Sequence, residues 1–133
     1  MITKRQKKVN AIKLLLLFAL LLSPLLALST DSYVHLRPQF LTNLQGSKKY
    51  LYTEVSLLIV DDTTTEKIVN THLPLIRSSL VDLFSRQSLK NLSMKSGING
   101  LQNEAVKLIN KLLQEHGETV EVKRVLFTKF NIS

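Results

Sequence analysis

Leu14 to Leu28 is a run of fifteen residues interrupted only by Ser23 and Pro24, and it follows a segment holding Lys4, Arg5, Lys7, Lys8 and Lys13 without any acid. An apolar core helix is polar on one face; Leu14 to Leu22 is apolar on every face. The run therefore reads as a segment for lipid. Two fates fit it. A retained anchor needs about 20 residues at a rise of about 1.5 Å to cross a hydrocarbon core about 30 Å thick. Val9 to Leu28 supplies that length if the Lys13 ammonium reaches back to the headgroups. A cleaved signal peptide needs a basic start, a short apolar stretch and small residues at the cut, and Ala27-Leu28-Ser29 supplies them. In either case the cations hold the N-terminus in the cytoplasm and send the rest of the chain across.

The formal charge of +8 loses its meaning as a nucleic-acid signal once those five cations are set aside, because thirteen basic residues against ten acidic ones remain. They are spread along the chain, with no cluster of cations interleaved with aromatic platforms. No nucleic-acid partner is expected. The chain has no cysteine, so disulfides, thiolate catalysis and Cys-based metal sites are excluded.

The hundred residues after the apolar run suit one α+β domain. Ser29 to Arg37 reads as a short linker and edge segment, stopped by Pro38. Gln45-Gly46-Ser47-Lys48 marks a turn between two strands. Lys49 to Val60 is the best strand candidate, with Leu51, Val55, Leu57 and Ile59 on one face. Thr63-x-x-Glu66 fits a capping box that opens a helix after Asp61-Asp62. Pro74 breaks or kinks that helix, and Ile76, Leu80, Leu83 and Phe84 resume its apolar stripe. Leu89 and Leu92 suit a short turn. A further helix starts near Ser96 to Gly100, carries Leu101, Ala105, Leu108, Ile109, Leu112 and Leu113, and stops at Gly117. The tail is a strand with Val120, Val122, Leu126, Phe130 and Ile132 on its apolar face, paired with the Lys49–Val60 strand. The expected order is β-β-α-α-β.

No catalytic constellation emerges. His35, His72 and His116 fall in different elements, and none shares the i, i+4 spacing of paired metal ligands. Ser78, Ser79 and Asp82 share a helix without an activating histidine, and Gly97 and Gly100 lack the lysine and strand context of a phosphate loop. Asp61-Asp62 reads as helix-capping carboxylates rather than a cation site. Asn91-Leu92-Ser93 matches a common sequon. The chain reads as a non-enzyme with no cofactor; a pocket joining His72 to a serine would argue for a hydrolase instead.

Tyr33-Val34-His35-Leu36-Arg37-Pro38-Gln39-Phe40-Leu41-Thr42-Asn43-Leu44 resembles the opening of the flagellar basal-body-associated FliL domain, with its proline two residues before a phenylalanine. Lys49-Tyr50-Leu51 leading to Val55-Ser56-Leu57 is similar to the family's next strand. His72-Leu73-Pro74-Leu75-Ile76-Arg77 resembles its H-x-P-x-I-R element, Gly97 to Leu113 its second helix, and Val125 to Ile132 its V-x-F-T-x-F-x-I finish. The positions that carry the resemblance are Pro38, Phe40, Leu73, Pro74, Ile76, Arg77, Phe127, Thr128 and Phe130.

The resemblance implies a single-pass protein of the bacterial inner membrane. Residues 1–13 would be a cytoplasmic basic segment, 14–28 a transmembrane anchor, 29–37 a short linker or edge segment, and 38–133 a periplasmic domain of stomatin/prohibitin-like fold. It further implies partners in the flagellar stator and basal body, a homo-oligomeric ring, and support of stator function and flagellar rotation in motility and chemotaxis. It brings no catalytic residues. The alternative is a signal-peptide-cleaved, soluble periplasmic binding or chaperone-like protein of the same fold.

Overall fold

The computed structural model describes residues 4–22 and 30–133. The chain runs α1 (Lys4–Leu22), β1 (Asp31–Asn43), β2 (Tyr50–Val60), α2 (Thr63–Thr71), α3 (Leu73–Ser85), α4 (Leu89–Leu92), α5 (Lys95–Glu115) and β3 (Arg124–Ile132). The expected α+β order is present, with the first helix split in two and a single-turn helix added. No described helix is long and apolar enough to cross a membrane. Residues 23–28 of the expected anchor and the Ala27-Leu28-Ser29 site lie outside the described residues.

A three-stranded antiparallel sheet in the order β1-β2-β3 carries helices on one face. The alternation read along β2 is realised: Leu51, Thr53, Val55, Leu57 and Ile59 are buried at every second position. Ile76, Leu80, Leu83 and Phe84 of α3 and Leu101, Ala105, Ile109, Leu112 and Leu113 of α5 close the other side of the core. Each such large side chain, fully buried, contributes about 1.5–3 kcal/mol.

Register fixes which side chains reach that core, and both outer strands interrupt it. In β1, Arg37, Pro38 and Gln39 lie opposite the single residue Glu54, between the pairs Leu36↔Val55 and Phe40↔Thr53. Two extra residues preserve the alternation, so Val34, Leu36, Phe40, Thr42 and Leu44 all stay buried. Residues 31–37, within the segment expected as a short linker or edge, belong to the outer strand β1. In β3 the extra residue is Thr128, between Glu54↔Lys129 and Val55↔Phe127. One residue reverses the alternation. The core face is therefore Val125 and Phe127 before the bulge and Phe130 and Ile132 after it, which corrects the continuous face expected through Leu126. Thr53, fully buried, donates its hydroxyl to the Lys129 carbonyl at 2.7 Å and satisfies the bulged backbone.

The helix caps show one further correction. Asp62, not Thr63, is the N-cap of α2: its backbone is extended and its carboxylate accepts from the Thr64 amide at 2.9 Å. Glu66 then sits one position too far into the helix for the reciprocal bond of a capping box. His72 joins α2 to α3, and Pro74 occupies the first turn of α3, where its missing donor costs nothing. Gly117, at φ +76, ends α5 with Glu118 N–H bonding the Leu113 carbonyl at 2.9 Å and Gly117 N–H bonding Gln114 at 3.0 Å, a Schellman closure.

Gly97 lies inside α5 rather than before it, and it is buried against α4. A Cβ there would fall on the backbone carbonyl of Asn91, whereas a Cβ at Gly100 meets nothing within 4 Å. Gly97→Ala is therefore expected to lower stability by about 1–3 kcal/mol through overpacking. Gly100→Ala is expected to raise it by up to about 1 kcal/mol through helix propensity. Urea denaturation of the two variants, read by circular dichroism, checks the opposite signs.

Candidate functional site

The positions singled out in the sequence divide between the core and the uncovered side of the sheet. Phe40 on β1, Phe84 on α3 and Phe127 and Phe130 on β3 form one line of rings. Phe40 and Phe84 meet edge to face at 5.5 Å, Phe84 and Phe127 edge to face at 5.6 Å, and Phe127 and Phe130 stack at 5.5 Å. Arg77 covers the end of the line, its guanidinium 4.1 Å from the Phe40 ring centre. The same guanidinium donates to the Gln39 carbonyl at 3.3 Å, which ties α3 to the β1 bulge. Ile76 is fully buried beside it, Leu73 packs on the core, and Pro74 is exposed in its helical turn. Three stretches far apart in sequence thus build one packing unit.

Pro38 and Thr128 sit at the two bulges and line a pocket of about 310 Å³ with His35, Arg37, Glu54 and Ser56. His35 Nδ1 and Ser56 Oγ are 2.7 Å apart. Ser56 is only 1 % exposed and lies within a regular strand, so it is not presented as a nucleophile on a turn. No carboxylate orients His35 among the described residues. The pair is a hydrogen bond that satisfies a buried hydroxyl.

His72 meets no serine. Its Nε2 lies 2.9 Å from Glu118 Oε1, and its ring centre is 5.3 Å from that of His116. His116 Nδ1 donates to the Leu112 carbonyl at 2.8 Å. No local pattern announces this cluster, because 44 positions separate the two histidines and each stands at a helix terminus. Among the described residues, no group of three or more metal-binding side chains is placed to hold an ion.

A second feature missed in the sequence is Asn110. Its amide brackets Val122, accepting from the Val122 N–H at 2.7 Å and donating to the Val122 carbonyl at 2.9 Å. An asparagine on a polar helix face carries no spacing signal for such a contact.

Lys7, Lys8 and Lys13 lie exposed on α1, with Lys4 and Arg5 in its first turn. Leu14 to Phe18 are all at least 60 % exposed, whichever way they point around the helix. Nothing in the described chain covers them.

A family model described as "Flagellar basal body-associated protein FliL" matches residues 33–132. The chain is also 29% identical over 98 residues to the flagellar protein FliL of Aquifex aeolicus (strain VF5). That match takes in 73% of this chain and 58% of the relative, so the chain spans little more than half of the relative's length.

The aromatic line predicts coupling between α3 and the outer strands. Phe84→Ala is expected to cost about 3–5 kcal/mol. A double-mutant cycle of Phe84→Ala with Phe127→Ala should show a coupling of about 0.5–1.5 kcal/mol, the scale of edge-to-face pairs. Urea denaturation of the single and double variants measures both.

Proposed function

Since the chain belongs to the flagellar basal body-associated FliL family, we propose that it is a single-pass inner-membrane protein whose periplasmic domain supports the flagellar stators and thereby controls rotation in motility and chemotaxis. The observation that carries the reading is the family match over residues 33–132, which begins just after a basic and leucine-rich segment.

The N-terminal helix supports the membrane part. Five consecutive apolar side chains, Leu14 to Phe18, stand exposed around α1, and a helix apolar on all sides finds its solvent in lipid. The cations on its N-terminal side favour the cytoplasm, which sends residues 30–133 into the periplasm. Residues 14–28 would form the span and residues 1–13 the cytoplasmic head.

A domain held at a membrane meets neighbours in the same plane at high effective concentration. Weak contacts between copies then suffice to close a ring, provided the contact is head-to-tail and its rotation closes. In this reading the protein acts by assembly beside the stator, with a stomatin/prohibitin-like domain and no turnover. The charges left after the membrane segment nearly balance, which suits protein partners better than nucleic acid.

The test is a strain lacking the gene, scored for spreading in soft agar and for single-cell rotation. Reduced spreading or altered rotation, restored by the full chain, is the expected outcome; unchanged motility overturns the motor role. A second arm exports residues 30–133 through a cleavable leader. Tethering predicts that this soluble form fails to restore motility, whereas full restoration would refute the tether. N-terminal sequencing of the mature full chain decides the cleaved alternative, for which a start near Thr30 is expected.

A further inference from the structure

The two outer strands of the sheet are unlike. The outer side of β1 is interrupted by the Arg37–Gln39 bulge, where Pro38 offers no N–H. Neither outer strand has a partner on its outer side among the described residues, but β3 bulges by the single residue Thr128 and has no proline. The Arg124–Leu126 end of β3 borders a groove of about 740 Å³ whose opposite wall is α5.

Two properties of the groove restrict what fits it. Asn99, Gln102, Asn103 and Lys107 lie on one stripe of α5 at helical spacing, and Lys123 and Arg124 stand on the strand wall. Asn110 continues that stripe one turn further, where it already binds the N–H and C=O of Val122 together. An α5 amide thus completes extended backbone just before β3 begins. Beyond it, Asn99 to Lys107 of α5 and Lys123 to Leu126 line the open groove.

The second property is charge. No carboxylate lines the groove among the described residues, and its three cations are Lys107, Lys123 and Arg124. Lys123 is held by Asp31 at 2.7 Å. Lys107 and Arg124 make no ion pair among the described residues. A second copy of this chain is net positive after the N-terminal segment, with thirteen basic residues against ten acidic ones, and so is a poorer match in charge than an acidic segment.

We propose that this groove receives an extended acidic segment of a partner protein, which adds to the sheet as a fourth strand along β3. Backbone hydrogen bonds to the β3 edge supply affinity, and carboxylates of the segment meet Lys107 and Arg124. The α5 amides receive the polar groups of the segment on its far side. The inference rests on the groove alone and does not depend on the flagellar reading.

Fluorescence anisotropy of the full chain in detergent tests it, with a labelled peptide of about ten alternating Val and Glu residues as the probe. Saturable binding is expected, weakened by salt. A peptide alternating Val and Lys should not bind, nor should the Val-Glu peptide with N-methyl groups along one backbone edge. Lys107→Glu with Arg124→Glu should weaken binding roughly fivefold or more, and the two Gln substitutions by less, with circular dichroism confirming the fold. Equal binding of the lysine peptide or of the N-methylated peptide overturns the proposal. So does binding that is unchanged in both double variants, or a single-stranded oligonucleotide that competes for the same residues.

Discussion

Phe84 holds the two outer strands of the sheet to one helix, and the rest of the domain depends on that contact. β1 and β3 do not pair with each other; β2 lies between them. Phe84 reaches both from above, edge to face with Phe40 on one side and with Phe127 on the other. A three-stranded sheet with one open face has little to resist splaying, and a cysteine-free chain has no covalent brace. The ring line supplies an internal one. Arg77 extends it by lying on Phe40 while holding the Gln39 carbonyl, so the bulge in β1 is fixed by the same helix that fixes the core.

The two bulges follow from where that line must run. Phe127 faces the core because the alternation in β3 is reversed at Thr128; without the extra residue, Phe127 and Phe130 could not both lie inward. In β1 the insertion is two residues, which leaves the inward set unchanged and instead pushes Arg37 to Gln39 outward. The bulges share Glu54 as their opposite residue, and the pocket with His35 and Ser56 is the opening they leave in the sheet. Pro38 and Thr128 are therefore positions of backbone geometry, while Phe40, Ile76, Arg77, Phe127 and Phe130 are positions of packing. That division explains why residues so different in chemistry belong to one motif set.

Much of the fold was legible where one local rule acted alone. The strict alternation of β2, the proline in the first turn of α3 and the left-handed glycine after α5 each express a constraint that a few neighbouring residues satisfy. Reading failed where two local solutions compete. Asp62 and Thr63 can both cap a helix, and the carboxylate won by reaching the Thr64 amide from an extended backbone. The inward face of β3 was misread because a one-residue bulge leaves no mark in a sequence where Leu126, Phe127 and Phe130 are all apolar. Gly97 looked like a helix boundary because the approach of α4, which requires it, is a tertiary contact. The groove was illegible for the same reason: Lys107 and Arg124 are ordinary surface cations until α5 and the β3 edge are set side by side.

The start of the domain bears on how a membrane tether would act. Asp31 is already paired with Val60 across the sheet, the Asp61 N–H bonds the Thr30 carbonyl at 2.8 Å, and Lys123 holds Asp31. Thr30 and Asp31 are thus already paired, and they follow closely on position 28, where the proposed span ends. A long flexible linker lets a domain sample a large volume, and its effective concentration for neighbours falls steeply with length. With a span ending at position 28, the linker here would be almost without slack. The end of the sheet that carries Asp31, Val60, Asp61 and Lys123 would then lie against the headgroups, with the strands directed away from the bilayer. Contacts with neighbours would be confined to a narrow height above the membrane, which is the geometry that lets individually weak contacts assemble in a plane.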